Sequence, residues 1–138
     1  MNRKEIVTSF LFKNKKILLL KRSDKVGTFK GKWAGISGFI EKETSLEAAL
    51  REIKEETGVD SNQLELLKIG IPFEINDTTN DVIWSINPFL FLFKGDEIKI
   101  DWEHDTYEWI CPSEMKNYDT VKKLKETLFN LIENADIK

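Results

Sequence analysis

The chain has 138 residues, 41% of them hydrophobic and 33% charged, with a formal net charge of −3. That is the make-up of an ordinary soluble protein, with enough chain for one domain over residues 1–138 and a real core. A single cysteine, Cys111, excludes an internal disulfide, and no apolar run reaches membrane-spanning length. The N-terminus lacks the small-residue cleavage site of a secretory leader, so the expected location is the cytoplasm. The charge is uneven: residues 1–32 carry ten Lys/Arg against two Asp/Glu, and the remainder carries eleven against twenty-two. Such a basic arm suits a polyphosphate, although lysines also solvate strand edges. No strong nucleic-acid signal accompanies it.

Glu5–Phe12 and Lys16–Lys21 read as strands joined by a tight turn at Lys13-Asn14-Lys15. The second strand is apolar enough to be buried on both faces. A polar loop, Ser23–Lys32, precedes a short strand at Trp33–Phe39. Arg22 is placed to touch a phosphate with its planar fork, or to pair with Asp24 or another loop carboxylate. Trp33 is a candidate to stack on a nucleobase, or a core residue.

The segment Gly38–Val59, GFIEKETSLEAALREIKEETGV, holds the strongest signal. Thr44 and Glu47 form a capping box, and Gly58 stands where the helix should stop. At about 100° per residue, Leu46, Ala49, Leu50 and Ile53 make a stripe for a core. Glu52, Glu55 and Glu56 form a second arc beside it. Like charges at this spacing repel by roughly 0.2–0.5 kcal/mol per pair, and near a helix C-terminus they also oppose the macrodipole. Arg51 offsets part of that. A divalent cation such as Mg²⁺ or Mn²⁺ would turn the repulsion into attraction; a plain solvated acidic face is the other reading.

Beyond the helix, Leu64–Glu74 reads as one strand and Asn76–Asp81 as a turn. Val82–Phe93 is the most apolar run, with Pro88 pointing to a bulge or an edge position. If that run is exposed, a homodimer is favoured. Ile98–Asp101 reads as a short strand, Pro112–Asn117 as a helical turn, and Asp119 or Thr120 as the start of a final helix to about Glu133. Its inner face would carry Val121, Leu124, Leu128, Leu131 and Ile132. His104, the only histidine, is a proton shuttle or a packed, hydrogen-bonded side chain. Strands flanking one helix, with a second helix closing the chain, predict an α/β protein whose mixed sheet is covered on both faces, an α/β/α sandwich.

Glu43, Arg51, Glu52, Ile53, Glu55, Glu56, Gly58 and Val59 reproduce the pattern E-x7-R-E-U-x-E-E-x-G-U, where U is a bulky aliphatic residue. This resembles the signature of the Nudix hydrolases at all eight fixed positions. The segment before it, KRSDKVGTFKGKWAGISG, is also similar to many members. One departure lies in the loop Phe39–Lys42: the family's G-x5-E is G-x4-E here, between Gly38 and Glu43, which puts the loop's backbone in question but not the helix register.

The resemblance implies an α/β/α sandwich and Mg²⁺-dependent hydrolysis of a nucleoside diphosphate linked to another moiety. It implies that Glu52, Glu55 and Glu56 hold the metal, with the Ser37 carbonyl as a further ligand. Arg51 would hold Glu55 in position. The general base would be Glu52 or a carboxylate outside the box, with Glu103 ahead of Asp105 and Glu108. A catalytically weak nucleotide-binding module on the same fold is the alternative, if the shortened loop misplaces a ligand. An isomerase or interaction protein on the fold ranks last.

Overall fold

A two-residue hairpin starts the sheet. Asn14 and Lys15 both adopt positive φ, 52° and 64°, joining β1 (Asn2–Lys13) to β2 (Lys16–Arg22). Turns of this hand match the twist of antiparallel strands. The computed structural model describes residues 2–132. Six further strands follow, β3 (Trp33–Ala34), β4 (Ile36–Phe39), β5 (Leu64–Ile69), β6 (Phe73–Asp77), β7 (Val82–Phe93) and β8 (His104–Ile110), with helices α1 (Ser45–Thr57) and α2 (Leu124–Ile132). All eight strands join one mixed sheet in the order β3-β2-β1-β7-β5, with β4 on β1, β6 on β7 and β8 on β2. The β1–β7 pair is parallel and runs from Asn2 opposite Val82 to Phe12 opposite Leu92.

Alternation along the strands sends apolar side chains to both faces. Val7, Leu11, Leu18, Leu20, Phe89 and Phe91 pack against Ala48, Ala49 and Ile53 of α1. Phe10, Ile17, Leu19 and Leu90 pack on the other side against Leu124, Leu128 and Leu131 of α2. The sheet is therefore sandwiched between helices, as expected, and β2 is buried on both faces.

Four expected elements are corrected by long-range pairing. Trp33–Phe39 is two short strands, because Ala34 pairs with Leu20 of β2 while Ile36–Phe39 crosses to β1. Leu64–Glu74 is likewise two strands, broken at Gly70–Pro72. That break explains how β7 can be an inner strand despite Pro88. The Pro88 carbonyl accepts from Gly70 N at 2.9 Å, so its missing N–H faces the same side, where the ladder passes from β5 to β6 and only the reciprocal bond to Gly70 goes unmade. Since β7 has neighbours on both sides, it offers no free edge for a homodimer. Ile98–Asp101 forms no strand; the strand of this region is β8, on β2. The last helix begins at Leu124 rather than Asp119, because Thr120 bridges to Trp33 and Val121 N donates to Trp33 O at 2.9 Å. Leu124, Leu128 and Leu131 do form its inner face, and the expected end at Glu133 lies outside the described residues.

Candidate active site

Helix α1 starts and stops as its sequence predicts. Thr44 caps Glu47 N while the Glu47 carboxylate accepts from Thr44 N, and Gly58 closes the helix at φ 74°. Ala49 and Ile53 are buried, with Leu46 and Leu50 partly buried beside them. The carboxylate arc beyond them is graded by depth. Glu55 is exposed, Glu52 is half-buried, and Glu56 is 3% exposed, inside the protein rather than on a solvated face.

Gly38 makes the depth of Glu52 feasible. A Cβ added at Gly38 would fall on the Glu52 carboxylate, so glycine at this position leaves that carboxylate the space it occupies. Gly38→Ala should push Glu52 aside and lower kcat/KM on a nucleotide substrate by about 10²-fold, as for other small misplacements of reacting groups. Steady-state kinetics, with far-UV circular dichroism as the folding control, would show it; full activity would mean that Glu52 has no positional role.

The short loop before Glu43 is pinned by Arg51. Its Nη2 donates to Glu43 Oε1 at 2.7 Å and to the Phe39 carbonyl at 2.9 Å, while Nη1 donates to Glu52 Oε1 at 2.7 Å. Glu55 is farther from the guanidinium, at 3.6 Å. Arg51 is thus a clamp on Glu43, Glu52 and the loop, rather than chiefly a holder of Glu55 as expected. The Arg51 hydrogen bond holds the Glu43 carboxyl below its ordinary value. No residue of Phe39–Lys42 has positive φ, so the shortened loop closes without a further glycine.

A cleft of about 330 Å³ opens in front of the box. Glu52, Glu55 and Glu103 line it together with Arg22 and Ser37, and its apolar wall includes Trp84. Arg22 reaches it because β2 and β8 slip register between Lys21 and Arg22, leaving Asp105 as the extra residue. The expected pairing of Arg22 with a loop carboxylate is replaced by bonds from Nε to Thr28 O at 3.0 Å and from Nη2 to Thr28 Oγ1 at 3.4 Å. Burial raises the Glu103 carboxyl, the Asp101 charge adds to this, and His104 and Arg22 oppose it. Burial also raises Glu52, where the Glu55 charge adds and Arg51 opposes. The Ser37 hydroxyl shares a 3.0 Å hydrogen bond with Thr8 Oγ1.

Not every candidate converges here. Trp33 packs against the α2-side core, edge-on to Tyr118 at 5.1 Å between ring centroids, so packing replaces the nucleobase-stacking expectation. Asp105 and Glu108 are exposed on β8 and do not line the cleft. Of the ten cations in residues 1–32, only Arg22 lines it; Arg3, Lys13 and Lys32 pair with Glu74, Asp96 and Asp119. Cys111 is half-buried. The sequence reading passed over Thr28, in a loop, over Trp84 of β7 and Asp77 of β6, whose strands give no local sign of facing the cleft, and over Asp101. The D-x-x-H spacing of a turn is the signal that could have found Asp101.

One buried oxygen of the site suits a divalent cation. Glu56 Oε2 is buried with no hydrogen-bond partner, and a hard cation satisfies such an oxygen. The donors in reach are carboxylate oxygens, the chemistry Mg²⁺ and Mn²⁺ prefer. Among the described residues no three such side chains converge on a single point, since Arg51 draws Glu52 and Glu55 stands in solvent.

A mixed sheet between two helices, with an acidic helix opening on a cleft, defines an α/β protein with a carboxylate-lined cleft. Residues 2–131 match the family model described as NUDIX domain. The nucleoside triphosphatase NudI of Escherichia coli O139:H28 is 30% identical over 139 residues, covering 93% of this chain and 96% of that one. The fold is similar to that of the E. coli dihydroneopterin triphosphate pyrophosphohydrolase (TM-score 0.79, 20% identity, 98% of this chain and 100% of that one). It is also similar to a C. elegans Ap4A hydrolase (TM-score 0.74, 17% identity, 94% of each chain). The chain belongs to the Nudix hydrolases and is an enzyme acting on phosphoanhydrides. No helix among the described residues is long and apolar enough to cross a membrane.

Proposed function

We propose that this protein is a Mg²⁺-dependent pyrophosphohydrolase of nucleoside diphosphates linked to another moiety, nucleoside triphosphates included, acting in the cytoplasm. The observation that carries this reading is one cleft lined by Glu52, Glu55, Glu103 and Arg22, with the unpartnered oxygen of Glu56 buried behind it. The 30% identity to a nucleoside triphosphatase supports the substrate class.

Glu52, Glu55 and Glu56 would hold Mg²⁺ or Mn²⁺, with the Ser37 carbonyl as a further ligand. When bound, such a cation neutralises the diphosphate oxygens and acidifies water at the site. The protein's own part is to place the substrate and move a proton. Arg22 meets phosphate oxygens with the part of its fork not given to Thr28. The apolar wall takes the nucleoside. Glu103 accepts the proton of the water whose oxygen attacks phosphorus, while the bridging P–O bond breaks and its electrons leave with the departing phosphate. Arg51 keeps Glu52 and the box loop in register.

A binding module is the second reading, motivated by the splayed carboxylates: Arg51 occupies Glu52, and Glu55 is only loosely held. The two part in one experiment, phosphate release from a panel of nucleoside triphosphates, nucleotide sugars and dinucleoside polyphosphates, with and without Mg²⁺. Turnover that requires the cation is the expected result. Measurable nucleotide binding with no turnover on any compound would establish the module instead.

A further inference from the structure

The turn Asp101–His104 does two tasks. On one side it presents Glu103 to the cleft; on the other it sends His104 inward against α1. The turn is tied down at several points. His104 N donates to Asp101 O at 3.2 Å, and Ser23 N donates to Glu103 O at 2.8 Å. Ser23 Oγ donates to Trp102 O at 3.0 Å, and Glu103 N donates to Asp101 Oδ1 at 3.3 Å. The same Asp101 oxygen lies 3.0 Å from His104 Nδ1, which sets the plane of the ring. The opposite nitrogen, Nε2, lies 3.6 Å from Glu56 Oε1. The His104 and Glu56 side chains are 1% and 4% exposed, so both are withdrawn from bulk solvent. Both His104 Nε2 and Glu56 Oε2 lack a hydrogen-bond partner.

We infer that His104, aimed by Asp101, is a positioning residue that orients the buried Glu56 carboxylate, engaging Oε1 so that Oε2 is left for the metal. This rests on the function proposed above. Two physical points support it. A carboxylate buried at the end of a flexible side chain has several rotamers, and a fixed partner on one oxygen selects among them at no cost in solvation. The 3.6 Å gap is longer than a good hydrogen bond but within reach of one small rotation, and contacts at such sites commonly tighten when the ligand is in place. Because Asp101 holds both His104 and the Glu103 amide, the same turn sets the separation of the proposed base from the deepest proposed ligand. A lone histidine packed in a core would not need a carboxylate on each ring nitrogen.

Mn²⁺ binding, read by electron paramagnetic resonance of the free ion on the full chain, tests this without any turnover. His104→Asn retains a group able to bond Asp101 but cannot reach Glu56; His104→Gln places an amide near the position of Nε2. Loss of an orienting partner typically costs about 10–100-fold in metal affinity. The expected result is that fall for His104→Asn and a fall of less than about a third of it for His104→Gln, both variants being folded by circular dichroism. Equal affinities for the two, whether both intact or both weakened alike, would overturn the positioning role and leave His104 as packing. Should His104→Asn not fold, Asp101→Ala, which frees the ring without emptying the core, carries the same test: unchanged Mn²⁺ affinity overturns the inference. If the unaltered protein binds no Mn²⁺, it is the proposed function that fails, and this inference with it.

Discussion

Glu56→Gln should lower turnover by about 10³-fold, the equivalent of about 4 kcal/mol of transition-state stabilisation, because an anionic oxygen is removed from the deepest part of the proposed metal site. The same substitution should make the metal-free protein more stable at high pH. Burial pushes the Glu56 carboxyl well above its ordinary value, and the neighbouring charges of Glu52, Glu103 and Asp101 push the same way. A carboxyl raised in this manner binds its proton more tightly in the folded state than in the unfolded chain. Its stabilising contribution is complete below the unfolded value near 4.5 and is lost as pH rises through the folded value. Glutamine never ionises, so in chelator the variant should melt above the parent at pH 8 and alongside it at pH 4. Thermal melts across that range, with kinetics at saturating Mg²⁺, read both effects. A fully active variant would remove the box from the mechanism. Melting curves that track one another at every pH would mean that folding does not raise the Glu56 carboxyl.

Glu103→Gln is expected to cost about 10²–10⁴-fold in kcat, the usual contribution of a positioned base. The sign of the pH effect follows from its surroundings. A base must be ionised to work, and Glu103 is raised by burial and by Asp101. Activity of the parent should therefore fall as pH drops through that raised value. In the variant that acidic limb should vanish along with most of the rate. An unchanged rate and profile would remove Glu103 from the chemistry and leave Glu52 as the base. Folding should not decide the outcome, since the turn is held by the Glu103 backbone and by Asp101 rather than by the Glu103 carboxylate.

Both variants bear on residues that were legible in the sequence to different degrees. Glu56 belongs to a helix whose start, stop and apolar stripe follow from Thr44, Glu47, Gly58 and a 3.6-residue period, all local properties. Glu103 belongs to a turn with no period of its own. Its candidacy came from the family resemblance, and its place at the cleft is fixed by distant segments: its carbonyl accepts from Ser23 N, just past the register slip between β2 and β8. Trp33 shows the reverse case. Its residue type suits a stacking platform, yet the bridge from β3 to Thr120 and the edge-on contact with Tyr118 hold it, partly buried, against the α2-side core. Pro88 misled in a similar way, because whether a missing N–H matters depends on what lies opposite, and here that is the gap at Gly70–Pro72.

By itself, then, the amino-acid order determined the box helix, its caps, the angular spacing of its glutamates and the two-faced apolar strands. These rest on contacts within a few residues, whose geometry is set by helix and strand periods. Tertiary structure alone decided that Glu56 is buried while Glu55 is not, that Arg51 clamps Glu43 and Glu52, and that Asp101 and His104 stand behind the proposed metal ligand. Burial and ion pairing are properties of distant segments brought together by strand pairing, and no local spacing encodes which segments those will be.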